Sequence, residues 1–356
     1  MLAERQDTPD LSLYECIDRL LSIDFPEREV IDIAYRAFRE YYGLPLTYLA
    51  ARALASVERG QLVLIATGFV NRPKVDTIIA ESDGPVGAAV LARAVHVGLG
   101  AVPVLLVEEQ IIPAMIRILH SCGLRVLDLP NAKKCADPSV TMDAAAILAS
   151  PTDWSAAEEQ ARTLLHQESV GAFIAIEKGA SNPQGEILFS RGRICTPTVG
   201  KIDPLVRLCR ERGIPTIGIG DGGNEMGMGN AGGILRTLLE YGDPKYNGGI
   251  VPAQETDYVI PATVSNWGGY GLAAALAGLL RNPSIMHDEA TERRMLAASS
   301  FEGLIDGVTG TTGTSSDGLS EDVHAAIVGL LRTLAGDGLD DIDWPGRDAS
   351  RSGDRS

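Results

Sequence analysis

In residues 203–219, DPLVRLCRERGIPTIGI, a helix signal leads directly into a strand signal. Asp203 is a typical N-cap residue, and Pro204 is favoured at the first position of a helix. Gly213 is typical of the residue that ends a helix, and an apolar run follows it at 214–219. The segment therefore predicts an α-helix followed at once by a buried β-strand.

The same alternation of strand and helix signals extends along most of the chain. β-branched runs separated by helix-length segments occur at 61–67, 101–107, 124–129, 170–176, 214–219 and 257–260. This order is typical of βαβ units, so we expect an α/β fold with a mostly parallel, Rossmann-like sheet flanked by helices. Two further helices are predicted after the last strand, at 266–281 and 319–335.

Three regions are predicted along the chain. Residues 1–58 form an N-terminal helical layer, and residues 59–335 form the α/β catalytic domain. Residues 336–356 are polar and lack periodicity, which predicts a disordered tail. The most apolar window, residues 88–107, is interrupted by charged residues, glycines and a proline, so it predicts a helix and a buried strand rather than a membrane span.

The amino-acid composition of the chain indicates which class of molecule the protein binds. The chain has 31 Lys and Arg against 47 Asp and Glu, a formal charge of -16, which disfavours binding to nucleic acid or to an anionic membrane surface. We therefore expect a small-molecule substrate, with a homo-oligomer possible. The five cysteines include no CxxC pair, and the N-terminus has no secretory or transit signal, so the chain is predicted to be cytoplasmic.

Polar side chains follow three of the predicted strands, at the edge where a parallel sheet binds its ligand. They are Thr67 and Gly68 with Glu81 and Asp83 after the first strand, Glu177 and Lys178 after the fourth, and Asp221, Asn224 and Glu225 after the fifth. We expect these side chains to meet at one face of the molecule.

The glycine-rich block GIGDGGNEMGMGNAGG, residues 218–233, fits the GxGxxG pattern of dinucleotide-binding loops. Asp221 and Glu225 would repel a phosphate, however, and the glycines continue past the point where a helix should begin. Carboxylate oxygens on a glycine loop suit a hard cation instead. We therefore predict a Mg²⁺ or Mn²⁺ site formed by Glu81, Asp83, Asp221 and Glu225.

A purely structural role is the alternative for these residues. Asp221 and Asn224 are residue types that commonly cap turns and helix N-termini. The run Asp83-Gly84-Pro85 is equally typical of a plain helix start, with Asp83 as the N-cap of the helix that follows.

Seven short motifs, taken together, resemble the D-glutamate cyclase family. They are TGF (67–69), ESDGPVGAAVLARA (81–94), EKG (177–179), SRG (190–192), GIGDGGNEMGMG (218–229), SNWGGYGL (265–272) and DGVTG (306–310). The resemblance covers roughly residues 10–335 and departs at Ser82, where the family is expected to have Thr; the hydroxyl is kept. It implies an enzyme that converts D-glutamate to 5-oxo-D-proline and water, with a divalent ion as cofactor.

The implied lactam formation assigns roles to these residues. The reaction needs an unprotonated amine, an electrophilic γ-carboxylate and an orientation that brings them together. An ion at Asp83 and Asp221 would polarise the carboxylate and stabilise the oxyanion that develops. Glu177 or Glu225 would act as the base, and Lys178 would anchor a substrate carboxylate; Lys178 can also be interpreted as a base or as a surface lysine.

Other residues are expected to bind the substrate. They are Thr67, Gly68, Arg191, Asn224, Asn266 and Gly268. Two other functions remain open, namely a metal-dependent phosphate-ester hydrolase that uses the same acids, and a non-catalytic binder of a small molecule. The spacing of residues does not determine which enantiomer is bound.

Overall fold

The computed structural model describes residues 11–336, and its centre is one parallel β-sheet of seven strands. The strands are β1 (Leu62–Ala66), β2 (Val102–Val107), β3 (Arg125–Leu127), β4 (Ala144–Ala149), β5 (Val170–Ile176), β6 (Thr216–Gly220) and β7 (Tyr258–Pro261). Their order is β3-β4-β2-β1-β5-β6-β7, and every neighbouring pair is parallel. The predicted α/β class and parallel sheet are confirmed. The predicted tail beyond residue 336 lies outside the described residues.

Twelve α-helices surround this sheet in the described part of the chain. They are α1 (Ser12–Leu21), α2 (Val30–Tyr42), α3 (Leu46–Leu54), α4 (Pro85–Leu99), α5 (Ile112–Ser121), α6 (Leu129–Lys134), α7 (Trp154–Gln167), α8 (Asp203–Glu211), α9 (Gly232–Leu238), α10 (Ser265–Leu280), α11 (Glu289–Phe301) and α12 (Glu321–Ala335). The apolar window at 88–107 forms most of α4 and all of β2, as predicted. Within residues 11–336, no helix combines the length and the apolar character needed to cross a bilayer.

Sequence signals located six of the seven strands. The missed strand, β4, has the sequence AAAILA, which contains one β-branched residue. It pairs with β2 on one side and β3 on the other, and its first three alanines are buried. Alanine has little strand propensity of its own, so packing between its neighbours forms this strand. Helices α10 and α12 were predicted, whereas α11 was not.

The start of α8 differs in detail from the prediction. The helix begins at Asp203 itself, and Ile202 occupies the N-cap position without a side-chain cap. The Asp203 carboxylate instead accepts hydrogen bonds from the backbone N–H, at 2.9 Å, and the hydroxyl of Ser181. The predicted capping role of Asp203 is therefore wrong: the acid holds the loop after β5 against the start of α8. Gly213 does end the helical segment, with φ of 70°.

The two faces of the sheet bury separate cores. In β1, Val63 and Ile65 face a large core shared with the helices on one side, while Leu62 and Leu64 face a core on the other side. The large core includes side chains from α1, α3, α4, α5, α10, α11 and α12. The other core includes side chains from α6, α7 and α8. The N-terminal helices α1 and α3 are thus part of the same core as the sheet.

The strand order places a crevice at the carboxyl end of β1. From β1 the sheet continues through β2 to one edge and through β5 to the other. The connections after β1 and β5 therefore leave in opposite directions. The crevice that this creates between the carboxyl ends of the two strands is the usual ligand position in an open parallel sheet.

Candidate functional site

A cavity of about 830 Å³ opens at this edge of the sheet. Its walls come from the chain that follows β1, β5 and β6, together with the segment before α2 and the loop around Asp317. Acidic lining residues are Glu29, Glu81, Glu177, Asp221, Glu225, Glu240 and Asp317, and basic ones are Arg28, Arg72, Arg191 and Arg193. Phe69, Phe189 and Tyr241 supply aromatic surface. The cavity therefore offers partners for both charges of a small zwitterion.

Three buried carboxylates form the centre of the site. Asp83, Glu177 and Asp221 each present one oxygen, and these oxygens lie within 4.8 Å of one another. Asp83 precedes α4, Glu177 follows β5 directly, and Asp221 follows β6 directly. We call this set the acidic triad.

Asp83 is held by a helix other than the one it precedes. Its Oδ1 accepts the N–H of Asn266 at 2.8 Å, and its Oδ2 accepts the N–H of Ser265 at 3.0 Å. Both donors lie at the start of α10, so Asp83 caps α10. The N-cap position of α4 is occupied by Gly84, with φ of 92°, and not by Asp83. The alternative interpretation, in which Asp83 is the N-cap of the following helix, is therefore wrong, although its carboxylate also accepts the Gly84 N–H at 3.1 Å.

Glu177 adopts a strained backbone conformation. Its φ is 43°, a value uncommon for a residue with a side chain. The hydroxyl of Ser265 donates a 2.5 Å hydrogen bond to Glu177 Oε2. Strain of this kind persists where the surrounding structure enforces it, often at a functional site. Three other cavity residues, Glu29, Arg72 and Asp317, also have positive φ.

Asp221 contacts an arginine from the N-terminal part of the chain. Nη1 of Arg28 lies 3.3 Å from Asp221 Oδ2, and its Nη2 lies 2.6 Å from Asp317 Oδ2. The sequence analysis predicted neither Arg28 nor Asp317 as a site residue. Neither residue follows a strand, and no spacing signal marks either of them.

Glu81 and the acids of the triad hold their protons unusually strongly. Desolvation raises the pKa of Asp83 to about 7, and the charge of Asp317 adds to this rise. Desolvation likewise raises the pKa of Glu81 to about 8. Burial and neighbouring carboxylates also raise the pKa of Glu177 and of Asp221 well above the ordinary range. A cluster in this state is stabilised by protons or by a cation.

The donor set of the triad fits a hard divalent cation. Its three oxygens are carboxylate oxygens, the ligand type that Mg²⁺ and Mn²⁺ prefer. The triad contains two of the four predicted ligands, Asp83 and Asp221, and adds Glu177. Glu81 instead accepts a hydrogen bond from Asn71 Nδ2 at 2.7 Å.

Glu225 is tied to its own turn beside the triad. Its carboxylate accepts the N–H groups of Gly222 at 2.8 Å and Gly223 at 2.9 Å. Burial raises the pKa of Glu225 in spite of these bonds. The residue is among those that line the cavity.

Lys178 points away from the cavity. Its Nζ lies 2.5 Å from Glu108 Oε1 and donates to the carbonyl oxygens of Thr67 and Gly68. The side chains of Lys178 and Glu108 are both almost completely buried. Lys178 is thus engaged inside the protein, where it joins β5 to the chain after β1.

The expected substrate-binding residues are divided between the cavity and the scaffold. Asn224 and Arg191 line the cavity, and Nδ2 of Asn224 donates to the carbonyl of Leu188. Asn266 acts as scaffold: its Oδ1 accepts the N–H groups of residues 84 and 87. Gly268 lies inside α10, where an added Cβ would come within 2.4 Å of Ile219. It allows the helix to approach the sheet.

Comparison with known proteins assigns this architecture to a family. Residues 36–332, most of the chain, match the family described as D-glutamate cyclase-like, C-terminal. The chain belongs to this family. The match includes the whole acidic triad and begins after Arg28.

One curated relative is the human protein named D-glutamate cyclase, mitochondrial. It is 38% identical over 104 residues, which are 29% of this chain. The alignment spans only 16% of the human protein's length. The likeness to this relative is therefore local, whereas the family match extends over nearly all of the sheet and its helices.

Proposed function

We propose that the protein converts D-glutamate to 5-oxo-D-proline and water. The observation that carries this proposal is the buried acidic triad, of which Glu177 and Asp221 line a cavity that arginines also line. Glutamate has two carboxylates and one ammonium group, so it needs partners of both charges within one small volume. The family membership supports the same assignment.

The reaction joins the two ends of one molecule. The amine nitrogen forms a bond to the γ-carboxyl carbon, and one carbon–oxygen bond of that carboxyl group breaks. The ammonium group loses two protons, and the departing oxygen gains two and leaves as water. Catalysis therefore requires a group that accepts a proton from nitrogen and returns it to oxygen.

We assign a divalent ion, Mg²⁺ or Mn²⁺, to Asp83, Glu177 and Asp221. Such an ion, when bound, would draw charge from the γ-carboxylate and make its carbon electrophilic. The protein's own contribution is to keep three carboxylates together although their charges repel. Hydrogen bonds from the start of α10 hold Asp83 and Glu177 in place for this purpose.

We assign the proton transfer to Glu225. Glu177, the other candidate base, belongs to the acidic triad, which leaves Glu225 as the neighbouring cavity carboxyl group. Its raised pKa makes it a stronger base than an exposed glutamate. Its Oε atoms would accept a proton from the ammonium group and pass it to the departing oxygen.

A direct assay tests this function. Proton NMR should show the ring methylene signals of 5-oxoproline growing from D-glutamate in the presence of Mn²⁺ or Mg²⁺, with L-glutamate run in parallel. Asp221→Asn should abolish product formation while the protein stays folded. Asp32→Asn, on the exposed surface of α2, is the matched control and should keep full activity.

Two outcomes would redirect the assignment. Hydrolysis of an aryl phosphate with Mn²⁺, without lactam formation, would indicate a phosphate-ester hydrolase. Thermal stabilisation by D-glutamate without any turnover would indicate a binding protein.

A further inference from the structure

Arg28 reaches the acidic triad from outside the part of the chain that defines the family. The family match begins at residue 36, after Arg28. Its guanidinium contacts Asp221 and Asp317, and it lines the cavity. In the described structure, the other three cavity arginines make no ion pair with a triad acid.

The position of Arg28 is set by its surrounding segment. Asp24 accepts the backbone N–H groups of Arg28 at 3.1 Å and Glu29 at 2.7 Å. The same segment is fastened beyond the end of β7, where Thr263 Oγ1 donates to the carbonyl of Ile23 at 2.8 Å. Arg28 is therefore carried by an ordered connection between α1 and α2.

The contacts of Arg28 leave part of its hydrogen-bonding capacity unused. Nη2 donates to Asp317 Oδ2 and to the Asp317 carbonyl at 3.0 Å, and Nη1 donates to Asp221. A guanidinium has five N–H groups, and these contacts use three of them. About 29% of the Arg28 side chain is exposed, so the remaining donors are accessible from the cavity.

We propose that Arg28 binds the substrate carboxylate that lies against the acidic triad, and that it competes with the divalent ion for Asp221. This inference rests on the proposed function. A γ-carboxylate placed beside three acids needs a positive partner at the same point, and Arg28 is the cavity arginine in contact with the triad. The fixed fork of a guanidinium suits a carboxylate, and the Asp317 contacts hold that fork in place.

If Arg28 has both roles, its removal should change the affinities for the cation and for the substrate in opposite directions. Arg28 and a cation are both attracted to the Asp221 carboxylate, so removing the arginine should strengthen cation binding. The same change removes a partner of the substrate carboxylate, so it should weaken substrate binding. A merely structural role for the segment would weaken both.

The test uses the full chain with Arg28→Met, Arg28→Lys and the control Arg36→Met. Arg36 forms an exposed ion pair with Asp32 on α2, far less buried than the Arg28 contacts. Mn²⁺ binding to metal-free protein is measured by electron paramagnetic resonance. D-glutamate binding at saturating Mn²⁺ is measured by calorimetry, and KM and kcat by the NMR assay.

We expect Arg28→Met to tighten Mn²⁺ binding about tenfold and to weaken D-glutamate binding about a hundredfold, consistent with the loss of charged hydrogen bonds. Arg28→Lys should keep part of the D-glutamate affinity, because it retains the charge without the fork. Arg36→Met should resemble the wild type in both measurements.

The inference is overturned if Arg28→Met weakens both ligands or leaves D-glutamate binding equal to that of Arg36→Met. Absence of turnover in the wild type would contradict the proposed function alone, since calorimetry and the Mn²⁺ titration would still report on Arg28. A wild type that binds no D-glutamate would overturn the assignment of Arg28 as well.

Discussion

Asp83 and Asn266 cap each other's helices. Asp83 Oδ1 accepts the backbone N–H of Asn266 at 2.8 Å in the first turn of α10. Asn266 Oδ1 accepts the N–H groups of Gly84 at 2.9 Å and Gly87 at 2.7 Å at the start of α4. The exchange fixes a triad acid to the two helices that pack most extensively on each other.

Asn266→Ala should destabilise the protein because it removes the cap of α4, leaves the buried Gly87 N–H without its acceptor and leaves the Gly84 N–H with only the Asp83 carboxylate. We expect a loss of about 2–3 kcal/mol in the free energy of unfolding, measured by urea denaturation. Asn131→Ala, in the exposed helix α6, provides the comparison. A variant as stable as the wild type would contradict the reciprocal capping.

The buried pair of Lys178 and Glu108 should be important for folding. Lys178→Met leaves Glu108 buried without its cation, which typically costs about 3–5 kcal/mol. Lys133→Met, which breaks the more exposed pair with Glu168, should cost less than about 1 kcal/mol. A Lys178→Met protein of normal stability that fails to bind D-glutamate would return Lys178 to the role of substrate anchor.

Gly84 makes room for the triad. An added Cβ would lie 2.7 Å from Glu177 Cβ and 2.7 Å from Thr67 Oγ1. Gly84→Ala should therefore weaken Mn²⁺ binding by displacing Glu177, in addition to lowering stability. Gly185 has a similar φ of 83° with open space around it, so Gly185→Ala carries the backbone strain alone. Equal Mn²⁺ affinity in the two variants would contradict this role of Gly84.

The stability of the metal-free protein should fall as pH rises. Asp83 has a folded-state pKa of about 7, above the value of about 4 expected in the unfolded chain. The folded state therefore holds its proton more strongly, and this stabilisation is full below about pH 4 and is lost as pH rises through 7. The temperature of thermal unfolding, measured in EDTA, should fall as pH rises, and Asp83→Asn should make this fall smaller.

Added Mg²⁺ or Mn²⁺ should restore stability more at pH 8 than at pH 5. A larger fraction of Asp83 is ionised at the higher pH, so the triad binds a cation more strongly there. A gain in stability from the added cation that is equal at both pH values would argue against a metal site at the triad.

Several features of the fold were predictable from local signals. Local patterns predicted the helix-to-strand boundary at Gly213 and the polar residues after β1, β5 and β6. This was possible because turn residues and apolar runs act between near neighbours in the chain. Asp83, Glu177 and Asp221 were all named from the sequence, because parallel strands bring their carboxyl ends to one edge. The alanine-rich strand β4 was not predicted, since burial between β2 and β3 determines its conformation.

Local sequence patterns specify the parallel α/β architecture and the set of acids at one edge of its sheet. Long-range packing determines which acids converge, which helix Asp83 caps, and that Lys178 is directed to Glu108. It also brings Arg28 to Asp221, 193 residues away along the chain. The physical reason is that apolar patterns and turn residues act locally, whereas these contacts depend on how helices from distant parts of the chain pack on the sheet.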